Sequence, residues 1–146
     1  AFAERRVDKT YLAVVEGDGL EGRIDARIGR DKRRPRARAA RPDGQAAQTA
    51  VRTLGAIGGG LALLEARPLT GRTHQIRVHL AARGQPIFGD TLYGGSAALR
   101  FEGDVLRAAR PLLHAARLVL PHAEGPRTFE APLPSDMAPL VERLRA

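Results

Sequence analysis

A chain of 146 residues that is 43% hydrophobic is long enough for one domain with a real core and too apolar for a disordered tail; with aromatics at 4%, that core must come mostly from Leu, Val, Ile and Ala. A formal net charge of +8, from 24 Lys+Arg against 16 Asp+Glu, favours a polyanionic partner and says little about fold. The chain has no cysteine, which excludes disulfides and thiolate metal sites and permits a reducing compartment. No apolar run approaches the roughly 20 residues of a membrane span, and no signal peptide opens the chain, although Ala1 is not a natural start.

In chain order, residues 10–16 are rich in strand formers and stop at the turn signal Gly17-Asp18-Gly19. Ile24, Ala26 and Ile28 then alternate with Arg23, Asp25 and Arg27, the period-two pattern of a half-buried strand. Residues 29–44 read as a polar loop with Pro35 and Pro42. The charge excess concentrates here: 27–41 holds Arg27, Arg30, Lys32, Arg33, Arg34, Arg36, Arg38 and Arg41 against one acid, Asp31. Arginine suits bidentate phosphate contacts and stacking on bases, but a solvated surface loop would look the same. Two further strands, 45–54 and 61–66, flank Gly58-Gly59-Gly60 and are expected to pair as a hairpin.

The segment 70–84 is ambiguous. Ile76, Val78 and Leu80 alternate as in a strand, whereas Thr73 suits a helix cap, Gly84 a left-handed terminus and Pro86 a stop. Its length predicts a helix over 73–83. Strands are expected at 113–120 and 128–131. Ser135 is expected to cap a last helix whose apolar positions Met137, Leu140, Val141 and Leu144 lie at helical spacing. Strands outnumber helices without βα alternation, which predicts an α+β fold with a largely antiparallel sheet.

The chemistry concentrates in Arg67 to Leu80, which packs arginines, histidines and a glutamine onto a partly apolar element, closed by Gly89-Asp90 and Tyr93-Gly94. Polar groups that dense face a ligand or a buried network, since each costs free energy if desolvated without a partner. A shared metal is not supported: His74 and His79 diverge on a helix and lie on opposite faces of a strand. A phosphate-binding P-loop is excluded, because Leu69-Thr70-Gly71-Arg72-Thr73 has no Gly-Lys-Ser/Thr. Arg72, the helix N-terminus and Arg77 suit an anion, either a phosphate or a protein carboxylate; an Arg satisfied by backbone carbonyls is equally compatible.

The string Thr-Gly-Arg-Thr-His-Gln-Ile-Arg-Val-His at 70–79 resembles the signature of RluA-type pseudouridine synthases, which isomerise uridines in ribosomal and transfer RNA. Further segments match in order: 2–17 around Lys9-Thr10-Tyr11, Ile28-Gly29-Arg30-Asp31, Asp43-Gly44-Gln45 through Thr49, Leu113-His114-Ala115, and Phe129-Glu130-Ala131-Pro132-Leu133-Pro134. The resemblance implies the C-terminal portion of one catalytic domain covering 1–146, because the family's nucleophilic aspartate lies in an Arg-Leu-Asp motif upstream. It implies Tyr11 as the active-site tyrosine that stacks on the target base, and Arg77 as the arginine paired with the nucleophile. Arg72, His74 and Gln75 would support that geometry. Lys9 would contact the core network or RNA backbone, and Asp90 would be structural.

The resemblance further implies chemistry without metal or cofactor, structured RNA as partner, no membrane, and a cytoplasmic protein. The phosphate contacts expected from the basic segment are Arg30, Lys32, Arg33, Arg34, Arg36 and Arg38. The rival is a non-catalytic basic RNA-binding module. An in-frame Arg-Leu-Asp roughly 30 to 50 residues before Tyr11, within the usual size of one domain, favours the enzyme, and its absence from the full gene favours the binder. The isomerase alone accounts for the arginine–histidine string.

Overall fold

The computed structural model describes residues 7–144; the part of the 2–17 segment before Val7 lies outside them. Ten strands, two α-helices and one 3-10 turn follow the chain: β1 (Asp8–Glu16), β2 (Gly22–Asp25), β3 (Ile28–Arg30), β4 (Arg38–Ala40), β5 (Gln48–Gly58), β6 (Leu61–Pro68), α1 (Gln75–Ala82), the 3-10 turn Thr91–Tyr93, β7 (Ala98–Phe101), β8 (Asp104–Arg107), β9 (Leu113–Leu120), β10 (Arg127–Glu130) and α2 (Ala138–Val141). Six strands form one sheet in the order β10-β9-β1-β6-β5-β2, antiparallel throughout. This is the α+β, largely antiparallel architecture that the sequence pattern predicts.

The central strands are apolar because both of their faces are covered. Ala13, Val14 and Val15 of β1 and Leu61 to Leu64 of β6 are buried without alternation, and they form one cluster with Ile76 and Leu80 of α1, Phe88, Leu112, Met137 and Leu140. Gly58, Gly59 and Gly60 all take positive φ and turn β5 into β6, as expected.

Several boundaries differ from expectation. The alternating stretch 23–28 is two strands, broken at Ala26 and Arg27: the Ala26 N–H turns to Ala47 O and the Arg27 carbonyl to the Arg41 N–H. The expected loop 29–44 contains the two-stranded ribbon β3–β4, in register Ile28↔Ala40 and Arg30↔Arg38. The Asp31 carboxylate accepts from the backbone N–H groups of Arg33 and Arg34 and closes the tip, and Ala37 packs fully buried beneath it. Thr73 does not cap α1. The N-cap position is His74, in the left-handed conformation at φ 56° and without a side-chain cap. The helix does stop before Gly84, which takes the left-handed φ of 76° just past the C-cap Arg83. Ser135 likewise caps nothing: the last helix is a single turn entered from Met137, whose N–H and that of Ala138 bond to Pro134 O. Its apolar positions nevertheless pack as the spacing predicts. The ribbon β7–β8 was not expected at all.

Candidate active site

Strand β1 carries Lys9 and Tyr11, and an irregularity sits at that point. The pairing with β9 runs Thr10↔Arg117 and then Tyr11↔Ala115, which leaves Ala116 as an extra residue opposite. The extra residue belongs to β9, so β1 keeps its alternation and Lys9 and Tyr11 share one face. Tyr11 lines a cavity of about 280 Å³ whose other walls include Lys9, Arg72, His74, Ile76, Arg77 and Leu113. Tyr11 and Arg77, 66 positions apart in sequence (77 − 11), thus face one cavity.

Helix α1 supplies the rest, through two hydrogen-bond networks. The inner one begins at Gln75, which is buried. Its Oε1 accepts from the Thr70 hydroxyl at 2.7 Å and the Arg72 N–H at 3.0 Å, and its Nε2 donates to Gln48 O at 2.8 Å and Thr49 Oγ1 at 3.0 Å. All four of its hydrogen-bonding positions are used. The Thr49 hydroxyl in turn meets His79 Nδ1 at 2.8 Å, while His79 Nε2 lies 2.9 Å from Ala26 O. A carbonyl can only accept, so Nε2 carries the hydrogen and Nδ1 of the neutral ring accepts from Thr49. Burial holds the His79 pKa below its ordinary value and keeps the ring neutral.

The outer network lies at the cavity. Arg77 Nε and Nη2 donate to Asp90 Oδ2 and Oδ1 at 2.9 and 2.8 Å, a bidentate pair in which Asp90 is 1% exposed. The guanidinium also lies over the Tyr93 ring, 5.0 Å from its centre. Clamped on one edge and one face, Arg77 keeps the hydrogens of Nη1 for another acceptor. The Tyr93 Oη accepts from the Arg38 backbone N–H at 2.8 Å and meets His74 Nδ1 at 2.7 Å. Burial, and then the positive charges of Arg77 and Arg38, lower the His74 pKa, so the ring stays neutral and accepts the tyrosine hydrogen. These contacts accompany the left-handed backbone of His74, a conformation that costs a side-chain-bearing residue free energy.

The expected site residues Tyr11, Arg72, His74, Gln75 and Arg77 are therefore brought together at one cavity. The guanidinium partner of Arg77 within the described residues is Asp90, as a buried anchor. His74 and His79 point into different networks, and no cluster of metal-ligating side chains occurs among the described residues. Of the basic segment, Lys32, Arg33 and Arg36 are exposed at the tip of the ribbon. Arg30 and Arg38 stand on its strands. Arg34 is exposed too, but its guanidinium is engaged within the protein: it pairs with Asp31, donates to Leu92 O and lies 5.9 Å from the Tyr93 ring centre. Sequence reasoning missed Tyr93 as the piece that ties ribbon to helix. Its signal was present in Tyr93-Gly94 after Gly89-Asp90, but the partner on Arg38 is a backbone group, which no side-chain motif marks.

Residues 1–82 match the family model described as RNA pseudouridylate synthase. The chain belongs to this family. It is 44% identical over 144 residues to an uncharacterised RNA pseudouridine synthase of Chloroflexus aurantiacus, covering 97% of this chain and 43% of the relative. It is 40% identical to the ribosomal large subunit pseudouridine synthase D of Nitrosomonas europaea, covering 97% and 42%. Among solved structures, human RNA pseudouridylate synthase domain containing 1 superposes with a TM-score of 0.71 at 33% identity, over 88% of this chain and 56% of that one. The chain spans about half the length of the curated relatives it matches. Family membership, and with it the RluA-type resemblance, holds along the whole string 70–79 that carries most of the site.

Proposed function

We propose that the complete protein carrying this chain isomerises uridine to pseudouridine in structured RNA, ribosomal RNA first and transfer RNA second. This chain supplies Tyr11 and Arg77, and an aspartate outside 1–146 supplies the nucleophile. The observation that carries this reading is the common cavity of Tyr11 and Arg77, formed by one face of β1 on one side and the Asp90-clamped guanidinium on the other. The target base must leave its stack before its reacting atoms are accessible. Tyr11 then offers a ring face for that base, and the free Nη1 edge of Arg77 offers charge to the incoming carboxylate. A guanidinium favours the ionised form of a neighbouring carboxylate, which stays nucleophilic in a site closed from water. Attack on the ribose or the base forms a bond to the aspartate and lets the N1–C1′ bond break. The uracil rotates, C5 bonds to C1′ as the bond to the aspartate is released, C5 gives up its hydrogen, and N1 gains one. The atoms balance with no metal or redox cofactor.

Support for RNA as substrate comes from the basic ribbon β3–β4, from the family and from the relative named for the ribosomal large subunit. The test is to map pseudouridines in total RNA from a strain lacking the gene, with and without the complete protein. A site that disappears on deletion and returns with the complete protein, but not with its Arg77→Ala variant, is the expected result. Residues 1–146 alone should form no pseudouridine, since binding groups do not replace a missing covalent catalyst. Robust turnover by 1–146 alone would make Asp90 the candidate nucleophile in place of its structural role.

A further inference from the structure

A second cavity, of about 410 Å³, opens on the far side of Arg72 from Tyr11, between the ribbon β3–β4 and the turn that enters α1. Three arginines from three separate segments line it: Arg30 of β3, Arg38 of β4 and Arg72. Its carboxylate, Asp43, is already neutralised, since Arg41 holds both its oxygens at 2.8 and 3.1 Å. Among the described residues, the guanidinium of Arg30 makes no ion pair or hydrogen bond, and that of Arg38 makes only a long one of 3.4 Å to Ala37 O. Arg72 spends Nε on Ala46 O at 2.8 Å, which fixes its direction, and its Nη groups make no hydrogen bond among the described residues.

The floor is bare backbone. Gly44 packs directly on the backbone of Ile28, where a Cβ would stand 2.5 Å from the carbonyl carbon, so the strand and the turn close here without a side chain between them. The ribbon is pinned here by the reciprocal bonds Ile28 N–H to Gln45 O at 2.9 Å and Gln45 N–H to Ile28 O at 2.8 Å. Three cations that face one preformed space without a free counter-charge repel each other until an anion enters. Guanidinium forks match the geometry of phosphate oxygens. Arg72 is also a wall of the Tyr11–Arg77 cavity, so an anion held here is the direct neighbour of whatever occupies that cavity.

We propose that the Arg30–Arg38–Arg72 cavity is a phosphate subsite, which holds one backbone phosphate beside the nucleotide whose base enters the Tyr11–Arg77 cavity; this rests on the isomerase reading above. The subsite divides the basic segment into two kinds of arginine. Arg30 and Arg38 fix the register of the strand at the site, whereas Lys32, Arg33 and Arg36 at the ribbon tip add unspecific attraction.

The test uses the complete protein and an RNA hairpin containing the uridine identified by gene deletion. A series of hairpins carries a single uncharged methylphosphonate at successive positions around that uridine. Pseudouridine formation on the unmodified hairpin is scored first. With wild type, one position close to the target should lose about tenfold in affinity. With Arg30→Gln/Arg38→Gln that position should become silent while the others keep their effects. Two arginines on one phosphate should also lower the slope of log affinity against log salt by roughly 0.7 to 0.9, not by twice that. Arg30→Gln alone, at an exposed position, serves where the double variant does not fold. Equal methylphosphonate losses in wild type and variant, with normal turnover on unmodified RNA, would overturn the subsite and leave the isomerase reading standing. No turnover on unmodified RNA by the complete wild-type protein would overturn both.

Discussion

The two networks on α1 start from adjacent residues, Gln75 and His74, and end in opposite conditions. The Gln75–Thr49–His79–Ala26 chain is closed: every donor and acceptor in it meets a protein partner, and it touches the main sheet through β5. The Arg77–Asp90–Tyr93–His74 set is held on one side only, and Arg77 and His74 also line an open cavity. A closed network specifies a fold, because any loss leaves a buried group unsatisfied. A network fixed on one side presents donors in a set direction, which is what a site that receives a substrate needs. Motif and burial alone do not separate the two, since the same ten-residue string supplies both.

The largest test of that distinction is Arg77→Ala. It should leave the buried Asp90 without its partner and cost about 2 to 3 kcal/mol of stability, at or just below the low end of the range of about 3 to 5 kcal/mol for a broken buried pair, because Arg77 is itself partly exposed. Turnover of the complete protein should fall by roughly a hundredfold or more. The double variant Arg77→Met/Asp90→Asn should regain most of the stability in urea unfolding and none of the turnover. If turnover returned with stability, the open network would be only another structural one.

Next in size is Thr49→Val, which keeps the shape and removes the hydroxyl between Gln75 and His79. His79 Nδ1 loses its donor, so the urea midpoint should drop by the equivalent of about 1 to 3 kcal/mol, with the m-value unchanged. Turnover at a temperature where the variant is folded should stay within about twofold of wild type. A large turnover loss in a folded variant would erase the line drawn between the networks.

Tyr93→Phe stands between the two. The ring that faces Arg77 remains, but the oxygen shared by the Arg38 N–H and His74 Nδ1 is lost. A stability loss of about 1 kcal/mol is expected. If the phenol couples ribbon to site, RNA affinity should weaken as well, with a shallower dependence of log affinity on log salt as ribbon contacts to phosphate are lost.

Much of this was legible in the sequence, and what was not has physical causes. The long strands β1, β5, β6 and β9 announce themselves because each sits in the sheet with apolar residues packed inward. The α1 pattern was ambiguous because the helix is buried on two sides. Ile76 and Leu80 join the sheet core, whereas Val78 packs with Ile28 and Ala47 under the ribbon, against Tyr93. Apolar residues at alternate positions thus arose from two separate contacts of one helix. The ribbon β3–β4 was hidden because its strands are three residues each and its bonds come from distant places, the Tyr93 hydroxyl among them. The ribbon β7–β8 was hidden because its turn places Glu102 and Gly103 at φ 53° and 81°, where Asn or Asp before Gly would have signalled a tight hairpin. At the site, Tyr11 came from family likeness alone, whereas Arg77 already stood in an anion-site reading that left phosphate, carboxylate and backbone-carbonyl partners open; the likeness chose the carboxylate.

The smallest expected effect is on pH, and it bears on the closed network. His79 is fully buried with Nε2 committed to a carbonyl, and its pKa is lowered by burial, so the folded chain disfavours its protonation. The unfolded chain takes up that proton near the ordinary histidine value of about 6.5. Below that point the unfolded state binds more protons than the folded one, so stability is fully present above it and falls as the pH drops through it. His74 shifts in the same direction. Between pH 7.5 and 6.5 each histidine can contribute at most about 0.4 kcal/mol, because the unfolded ring is only half protonated at the lower end. Urea midpoints should therefore decline slowly across that interval and more steeply below it. His79→Gln, which titrates nowhere in the range, should flatten the decline relative to its own midpoint at pH 7.5, and His74→Gln should flatten it less, because His74 borders the open cavity and is less buried. The opposite order would mean that the histidine at the cavity is the one sealed from water, and that the site is closed before any substrate arrives.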